Sequence, residues 1–479
     1  MDATSSRRLA ALGGHLVSAS AVSEGGGAVV NEQMAGLGLN DTAATGSGVQ
    51  QELQRLLEHD SFEERRRMKE LMKSELFIPR YAVPLAEERE LALQRLRVLC
   101  HSGNFRIEDF RVDPMRIFAA HECAAFADPS MATKMTVQFN LFGGTILKLG
   151  TQRHHDLLLR GITSLDDIGC FALTELGYGN NAVEMETTAT FDAATDEFII
   201  HTPTPLAQKY WITNSAIHAH WAVVFAQLLI GGTNHGIHGF LVPIRDKQDL
   251  RPCPGVRIED MGHKMGCNGV DNGKLWFDRV RVPRSALLDA FSQVERDGSF
   301  RSVGSLEVLQ ALFVVREGRL LGQLVAAMKE GRSGPQASPA ALLLRRVFDI
   351  WMRQQSDTVQ HTAAAFAERE VLEACCRALA ARSLSPALRA LLEPVVRLYA
   401  LHRLEQDLAW FLTEGLVPLA SGTAVGEAAR ALCRQLAPHY RTLLDSFGIP
   451  DHLVAAPIAG DWAAYNEADN QGELLGQVW

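Results

Sequence analysis

Residues 170–290 interrupt a chain that is otherwise patterned as helix, and this interruption fixes the fold class. Upstream, Leu53, Leu56 and Leu57, then Leu71, Met72 and Leu76, then Leu91, Leu96 and Leu99 recur at three- and four-residue steps, the spacing of one helix face. Downstream, Leu306, Leu309, Phe313, Leu320, Leu324 and Met328 form one amphipathic stripe and Leu391, Val395, Leu398, Leu401, Leu408 and Phe411 another, with a Gly- and Pro-bounded break over 331–339. Between them the period changes. Residues 188–192 and 197–201 flank Ala-Ala-Thr-Asp and predict a hairpin, and the apolar runs 222–228 and 239–244 are too short for core helices. Asn272-Gly273 predicts a turn, after which Leu275, Phe277, Val280 and Val282 alternate as one final strand. The pattern predicts an α+β chain: an N-terminal α-helical domain over 51–168, a central β domain over 169–295 and a C-terminal α-helical domain over 296–479.

Composition narrows the classes of function. A formal charge of −9, with no Lys/Arg stripe interleaved with aromatics, offers nothing to a nucleic-acid backbone. No run approaches the roughly 20 apolar residues that a membrane span requires. Eight cysteines without a CxxC pair point to a reducing compartment and free thiols. Asp128-Pro129-Ser130 predicts a helix start. His154-His155 with Asp156 reads as a solvated helix face and no metal site, because adjacent imidazoles on a helix diverge.

Four motifs follow one another through the central stretch. They are Thr174-Glu175-Leu176-Gly177, Lys209-Tyr210-Trp211-Ile212-Thr213-Asn214, the loop from Gly262 to Gly273 and the exit from Trp276 to Pro283. In this order they resemble the acyl-CoA oxidase and acyl-CoA dehydrogenase superfamily, most closely its oxidase branch, and the close of the chain, from Leu443 to His452 with Ala456-Pro457-Ile458, resembles the last helical domain of the plant and algal peroxisomal oxidases. Arg8-Leu9, five residues, then His15-Leu16 resembles the amino-terminal peroxisomal targeting nonapeptide, with a mitochondrial presequence or a chance match as the alternatives. Residues 1–50 are then a targeting peptide followed by a Gly/Ala/Ser/Thr-rich flexible linker.

The resemblance implies FAD as cofactor, with Thr174, Trp211 and Thr213 at the flavin, and acyl-CoA and dioxygen as substrates. It further implies trans-2-enoyl-CoA and hydrogen peroxide as products, a homodimer, import by the peroxisomal receptor and a peroxisomal location. Oxidases tend to carry glycine where Thr213 stands, whereas dehydrogenases carry Trp-Ile-Thr-Asn. A further family feature is expected to be missing. The helical bundle that carries the family's glutamate base and its Cys-Gly-Gly-His-Gly-Tyr-like and Glu-Gly-Asp-Asn-like signatures has no counterpart, as if excised between Phe300 and Leu306. Asn466-Glu467-Ala468-Asp469-Asn470 reads as a solvated tail, and no carboxylate can be nominated as base. Two other readings stay open: a non-catalytic shortened relative that partners a full-length oxidase, and an acyl-CoA dehydrogenase.

Overall fold

The computed structural model describes residues 43–80, 83–179, 181–302 and 353–454. The expected targeting address, the stripe from Leu306 to Met328, the break at 331–339 and the tail at 466–470 lie outside the described residues. The chain divides into two compact units, one of 1–57 with 312–448 and one of 58–311 with 449–479.

In the first unit, helix α1 (Ala43–Leu57) belongs with the C-terminal helices. Its start at Ala43 replaces the last part of the expected linker with ordered helix, because Val49, Leu53 and Leu56 find apolar partners. Those partners are Leu384, Leu388 and Leu391. A carboxylate fixes the contact: Glu52 accepts from the backbone N–H of Ser385 at 2.8 Å, and Ser385 in turn caps the next helix by accepting from Leu388 N at 3.1 Å.

The second unit opens with helices α2 (Phe62–Leu71), α3 (Leu85–His101), α4 (Pro114–Ala127) and α5 (Pro129–Met135), then α6 (Gly144–Leu149) and α7 (Gln152–Ser164). The predicted start of α5 is present. Asp128 accepts from Ser130 N at 2.8 Å and Met131 N at 3.2 Å, and Pro129 occupies the first turn, where its missing N–H costs nothing. Between α5 and α6 the chain winds as a π-helix over Thr136–Gly143. This wider turn presents Gln138, whose amide donates to Ile162 O and Asp167 O and accepts from Gly169 N, joining helix to sheet.

His154 corrects the sequence expectation. It is buried, because it sits at the third position of α7, where its Nδ1 accepts from Thr151 N at 3.0 Å. Its Nε2 is then the protonated nitrogen and donates to Ser285 O at 3.0 Å. Burial, with Arg153 nearby, lowers its pKa and keeps the ring neutral. No group of three metal-ligating side chains stands among the described residues.

The central strands form two main sheets. The larger contains β1 (Gly169–Ala172), β2 (Thr188–Asp192), β3 (Glu197–His201), β5 (Trp221–Ile230), β6 (Thr233–Pro243) and β9 (Val280–Pro283), in the order β1-β5-β2-β3-β9 with β6 on the other side of β5. The hairpin β2–β3 is as expected, with Thr190 opposite Ile199. The long strand β5 carries β1 along its first half and β2 along its second, both parallel to it. A three-stranded sheet, β4-β8-β7, is built from β4 (Lys209–Thr213), β7 (Val256–Asp260) and β8 (Asn272–Phe277). Strands β10 (Ser292–Val294) and β11 (Phe300–Ser302) form a separate hairpin.

Two expectations fail here. Asn272-Gly273 begins β8 and makes no turn, and the expected single final strand is two strands in different sheets. The chain turns instead at Asp278-Arg279, where Arg279 takes φ 51°. The core of the unit runs from Leu96 and Phe139 in the helices to Phe198, Phe240 and Phe277 in the strands. At the junction, Gly169 lies under the Phe142 ring so closely that an added Cβ would stand 2.2 Å from ring carbon Cδ1. Gly169→Ala is therefore expected to destabilise the unit by ~1–3 kcal/mol through overpacking. A urea midpoint equal to wild type would refute this.

Candidate functional site

Strand β4 is positioned by a buried ion pair. Lys209 and Glu175 are both buried, and Lys209 Nζ donates to Glu175 Oε1 at 3.0 Å, to Phe225 O at 2.8 Å and to Leu173 O at 3.2 Å. The Phe225 carbonyl lies in β5 between the last pairing with β1, at Val224, and the first with β2, at Gln227. Lys209 thus fills the gap where one parallel neighbour ends and the other begins, and satisfies carbonyls that would otherwise be buried unpaired. Glu175 also accepts from Glu186 N at 2.8 Å and Thr187 N at 3.0 Å. Burial lowers the Lys209 pKa to about 8, against the opposing pull of Glu175.

Beyond Lys209 the strand bulges. Lys209 pairs with Leu275 but Ile212 pairs with Gly273, so one extra residue is accommodated in β4. Trp211 takes φ 64°, an uncommon conformation for a bulky residue, and its side chain is turned outward, 53% exposed. The chain then returns to the ladder at Thr213, opposite Asn272. Asn272 Nδ2 donates to Thr213 Oγ1 at 3.1 Å and lies 3.5 Å from the Trp211 carbonyl.

Trp211, Thr213 and Asn272 line one side of a cleft of about 780 Å³, whose other lining residues include Thr133 of α5 and the loop residues His263, Lys264 and Cys267. Two close approaches hold that loop. An added Cβ on Gly269 would stand 2.7 Å from Ser130 Cβ, so only glycine allows the loop to lie against α5. Asp271 is fully buried beside Lys134 and accepts from Ile217 N at 2.8 Å and His218 N at 3.1 Å. Lys134 also donates to Asn214 Oδ1 at 3.2 Å, so helix α5, the loop and the turn after β4 meet at one ion pair. Lys264 Nζ is turned inward to Val270 O at 2.8 Å, and burial and Arg89 lower its pKa.

The structure brings Trp211 and Thr213 together on one cleft. Thr174 is adjacent in the fold, its carbonyl accepting from Tyr210 N at 2.9 Å, but it is not among the cleft-lining residues. Sequence reading missed Thr133 and Asn272 as cleft residues. Asn272 was masked by the turn signal of Asn-Gly, and Thr133 lies on a helix whose start was legible but whose cleft-facing side no local pattern marks. An outward-turned indole on a strained bulge beside two hydroxyls suits a planar heteroaromatic ligand with hydrogen-bonding edges. No Asp or Glu stands among the described residues that line the cleft.

Comparison with known proteins agrees with this geometry. Residues 170–280 match the family model of the acyl-CoA dehydrogenase middle domain, and residues 343–461 match that of acyl-CoA oxidase. Peroxisomal acyl-coenzyme A oxidase 2 of Arabidopsis thaliana is 44% identical over 245 residues, which is 49% of this chain and 35% of that protein. The match thus spans about a third of the length of this curated relative. Among solved structures, acyl-CoA oxidase 1 of Arabidopsis thaliana superposes with a TM-score of 0.69 at 19% identity, covering 91% of this chain and 96% of the other. Acyl-CoA oxidase-1 of Caenorhabditis elegans, solved with FAD and ATP, gives 0.67 at 16% identity, covering 88% and 94%. These likenesses establish a shared fold. In its segments 170–280 and 343–461, the chain is similar to the acyl-CoA dehydrogenase middle domain and to acyl-CoA oxidase, respectively.

Proposed function

We propose that the chain is an FAD-binding acyl-CoA oxidase of the peroxisome, acting at the first step of fatty-acid β-oxidation. The reaction takes acyl-CoA and dioxygen to trans-2-enoyl-CoA and hydrogen peroxide. The observation that carries the reading is Trp211, held outward by the bulge of β4 beside the Thr213 hydroxyl and above the cleft. The two family-model matches and the similarity to a peroxisomal relative support it, as does the targeting-like Arg8-Leu9 and His15-Leu16 pair. On this reading Thr174, Trp211 and Thr213 hold the flavin, which when bound supplies the hydride acceptor that no side chain can provide. Trp211 covers a ring face and shields it from water, while Thr213 offers a hydroxyl to its edge. A homodimer and delivery by the peroxisomal import receptor complete the proposal.

A second reading is favoured by one observation. The described cleft lining contains no carboxylate to take the α proton, which suits a non-catalytic relative that binds flavin or partners a full-length oxidase. Titration of the purified chain with FAD, followed by anaerobic addition of palmitoyl-CoA, separates the readings. Bound flavin whose visible band bleaches supports an enzyme, and bound flavin that stays yellow supports the non-catalytic relative. No retained flavin would overturn the flavoprotein reading. Peroxide on admission of air marks an oxidase; a bleached band that persists in air marks a dehydrogenase. Trp211→Ala is expected to weaken FAD binding about tenfold, the loss of one aromatic contact. Unchanged affinity would remove Trp211 from the site.

A further inference from the structure

Thr213 and Asn272 face each other across the β4–β8 ladder, and both line the cleft. Asn272 is itself buried, and its amide nitrogen points at two oxygens, Thr213 Oγ1 at 3.1 Å and the Trp211 carbonyl at 3.5 Å. A carbonyl oxygen only accepts, so the group facing both oxygens must be the –NH2 end of the amide. The Thr213 oxygen therefore accepts from Asn272, and its own proton is left to donate elsewhere. Among the described residues no protein acceptor for that proton is present. The open direction is the cleft.

We propose that Asn272 is a positioning residue: by donating to Thr213 Oγ1 it commits the Thr213 hydroxyl to act as a hydrogen-bond donor into the cleft, toward an acceptor atom on the edge of the flavin. This inference rests on the flavoprotein reading above and names what that reading lacks, a residue that chooses between the two roles a hydroxyl can play. Without it a threonine could equally turn its lone pairs to the ligand, and an acceptor atom would meet an acceptor. The same amide, near the Trp211 carbonyl, ties hydroxyl and indole to one anchor on β8.

The test is FAD affinity, read by fluorescence quenching, for wild type, Asn272→Asp, Thr213→Val and the double variant, with thermal melts to confirm folding. An ionised aspartate accepts the Thr213 proton and withdraws it from the cleft, so Asn272→Asp is expected to weaken FAD binding about tenfold. Acidification that protonates the new carboxyl restores a donor and should narrow that deficit. In the Thr213→Val background the Asn272→Asp effect should largely vanish, because the hydroxyl it acts on is gone. Equal weakening by Asn272→Asp with and without the Thr213 hydroxyl would overturn the proposal, as would wild-type affinity in Asn272→Asp. Should the aspartate variant not fold, unchanged FAD affinity in the isosteric Thr213→Val would overturn it equally, and a tenfold loss there would support it. Failure of the wild-type chain to bind FAD at all overturns the flavoprotein reading and this proposal together, so the two failures are told apart by the wild-type titration.

Discussion

Lys209→Met is expected to lose ~3–5 kcal/mol of stability, because it leaves the Glu175 carboxylate buried without its cation. The variant keeps the length and apolar stem of the side chain, so the loss reports the charge and its hydrogen bonds and not a cavity. It also strands the Phe225 and Leu173 carbonyls at the gap in β5, where Lys209 donates at 2.8 and 3.2 Å. Glu175 would still hold the N–H groups of Glu186 and Thr187 but would do so as an uncompensated buried charge. Adding Glu175→Gln should therefore recover part of the loss, since removing both charges is less harmful than removing one. Urea midpoints of the two singles and the double decide it. Strict additivity, or a loss for Lys209→Met below about 1 kcal/mol, would show that the pair does not organise the strand. The functional consequence follows from place: Glu175 adjoins Thr174 and Lys209 stands two residues before Trp211, so loosening the pair loosens both motifs at once.

How much of this was legible in the sequence depends on how local the cause is. The hairpin of β2 and β3 was readable because alternation and a turn-rich tetrapeptide lie within fourteen residues, 188–201, and nothing distant overrides them. The start of α5 was readable for the same reason, its cap and first-turn proline being neighbours. Asn272-Gly273 was misread because the turn propensity of the dipeptide is outweighed by tertiary pairing. Asn272 is buried to reach Thr213, and Gly273 carries no side chain because Ser215 Oγ would stand 2.5 Å from its Cβ. His154 was misread because polar residues on a helix predict a wet face, whereas this one is consumed by its own helix N-terminus and by Ser285. Trp211 and Thr213 were singled out through motif resemblance alone. The bulge that turns Trp211 outward arises from register with β8, some sixty residues away, and no local pattern encodes it.

Asp271→Asn should cost a similar ~3–5 kcal/mol, and here pH supplies a sharper test than magnitude. Burial alone would raise the carboxyl pKa, but Lys134 and His218 overwhelm that and hold it far below the usual carboxylate range. A carboxyl whose folded value is depressed contributes stability that is fully present above its unfolded value, about pH 4, and is lost as pH falls through the lower folded value. The stability difference contributed by the Asp271 carboxylate itself should hence be fully developed at about pH 5. Below about pH 4 it should shrink by ~1.4 kcal/mol per pH unit, because the unfolded chain then binds a proton that folded Asp271 refuses. Denaturant curves for both proteins between pH 5 and 3 measure this difference directly, and titrations of groups remote from Asp271 cancel. A difference that persists undiminished at pH 3 would mean that Asp271 does not fold as the ionised partner of Lys134. Since that ion pair joins α5, the loop of His263 and Lys264 and the turn carrying Asn214, its loss in Asp271→Asn should also loosen the cleft wall. FAD affinity of Asp271→Asn at neutral pH is accordingly expected to fall below wild type, whereas the wild-type chain, whose folded Asp271 stays ionised, should not lose affinity through this group over the acid range in which the stability difference narrows.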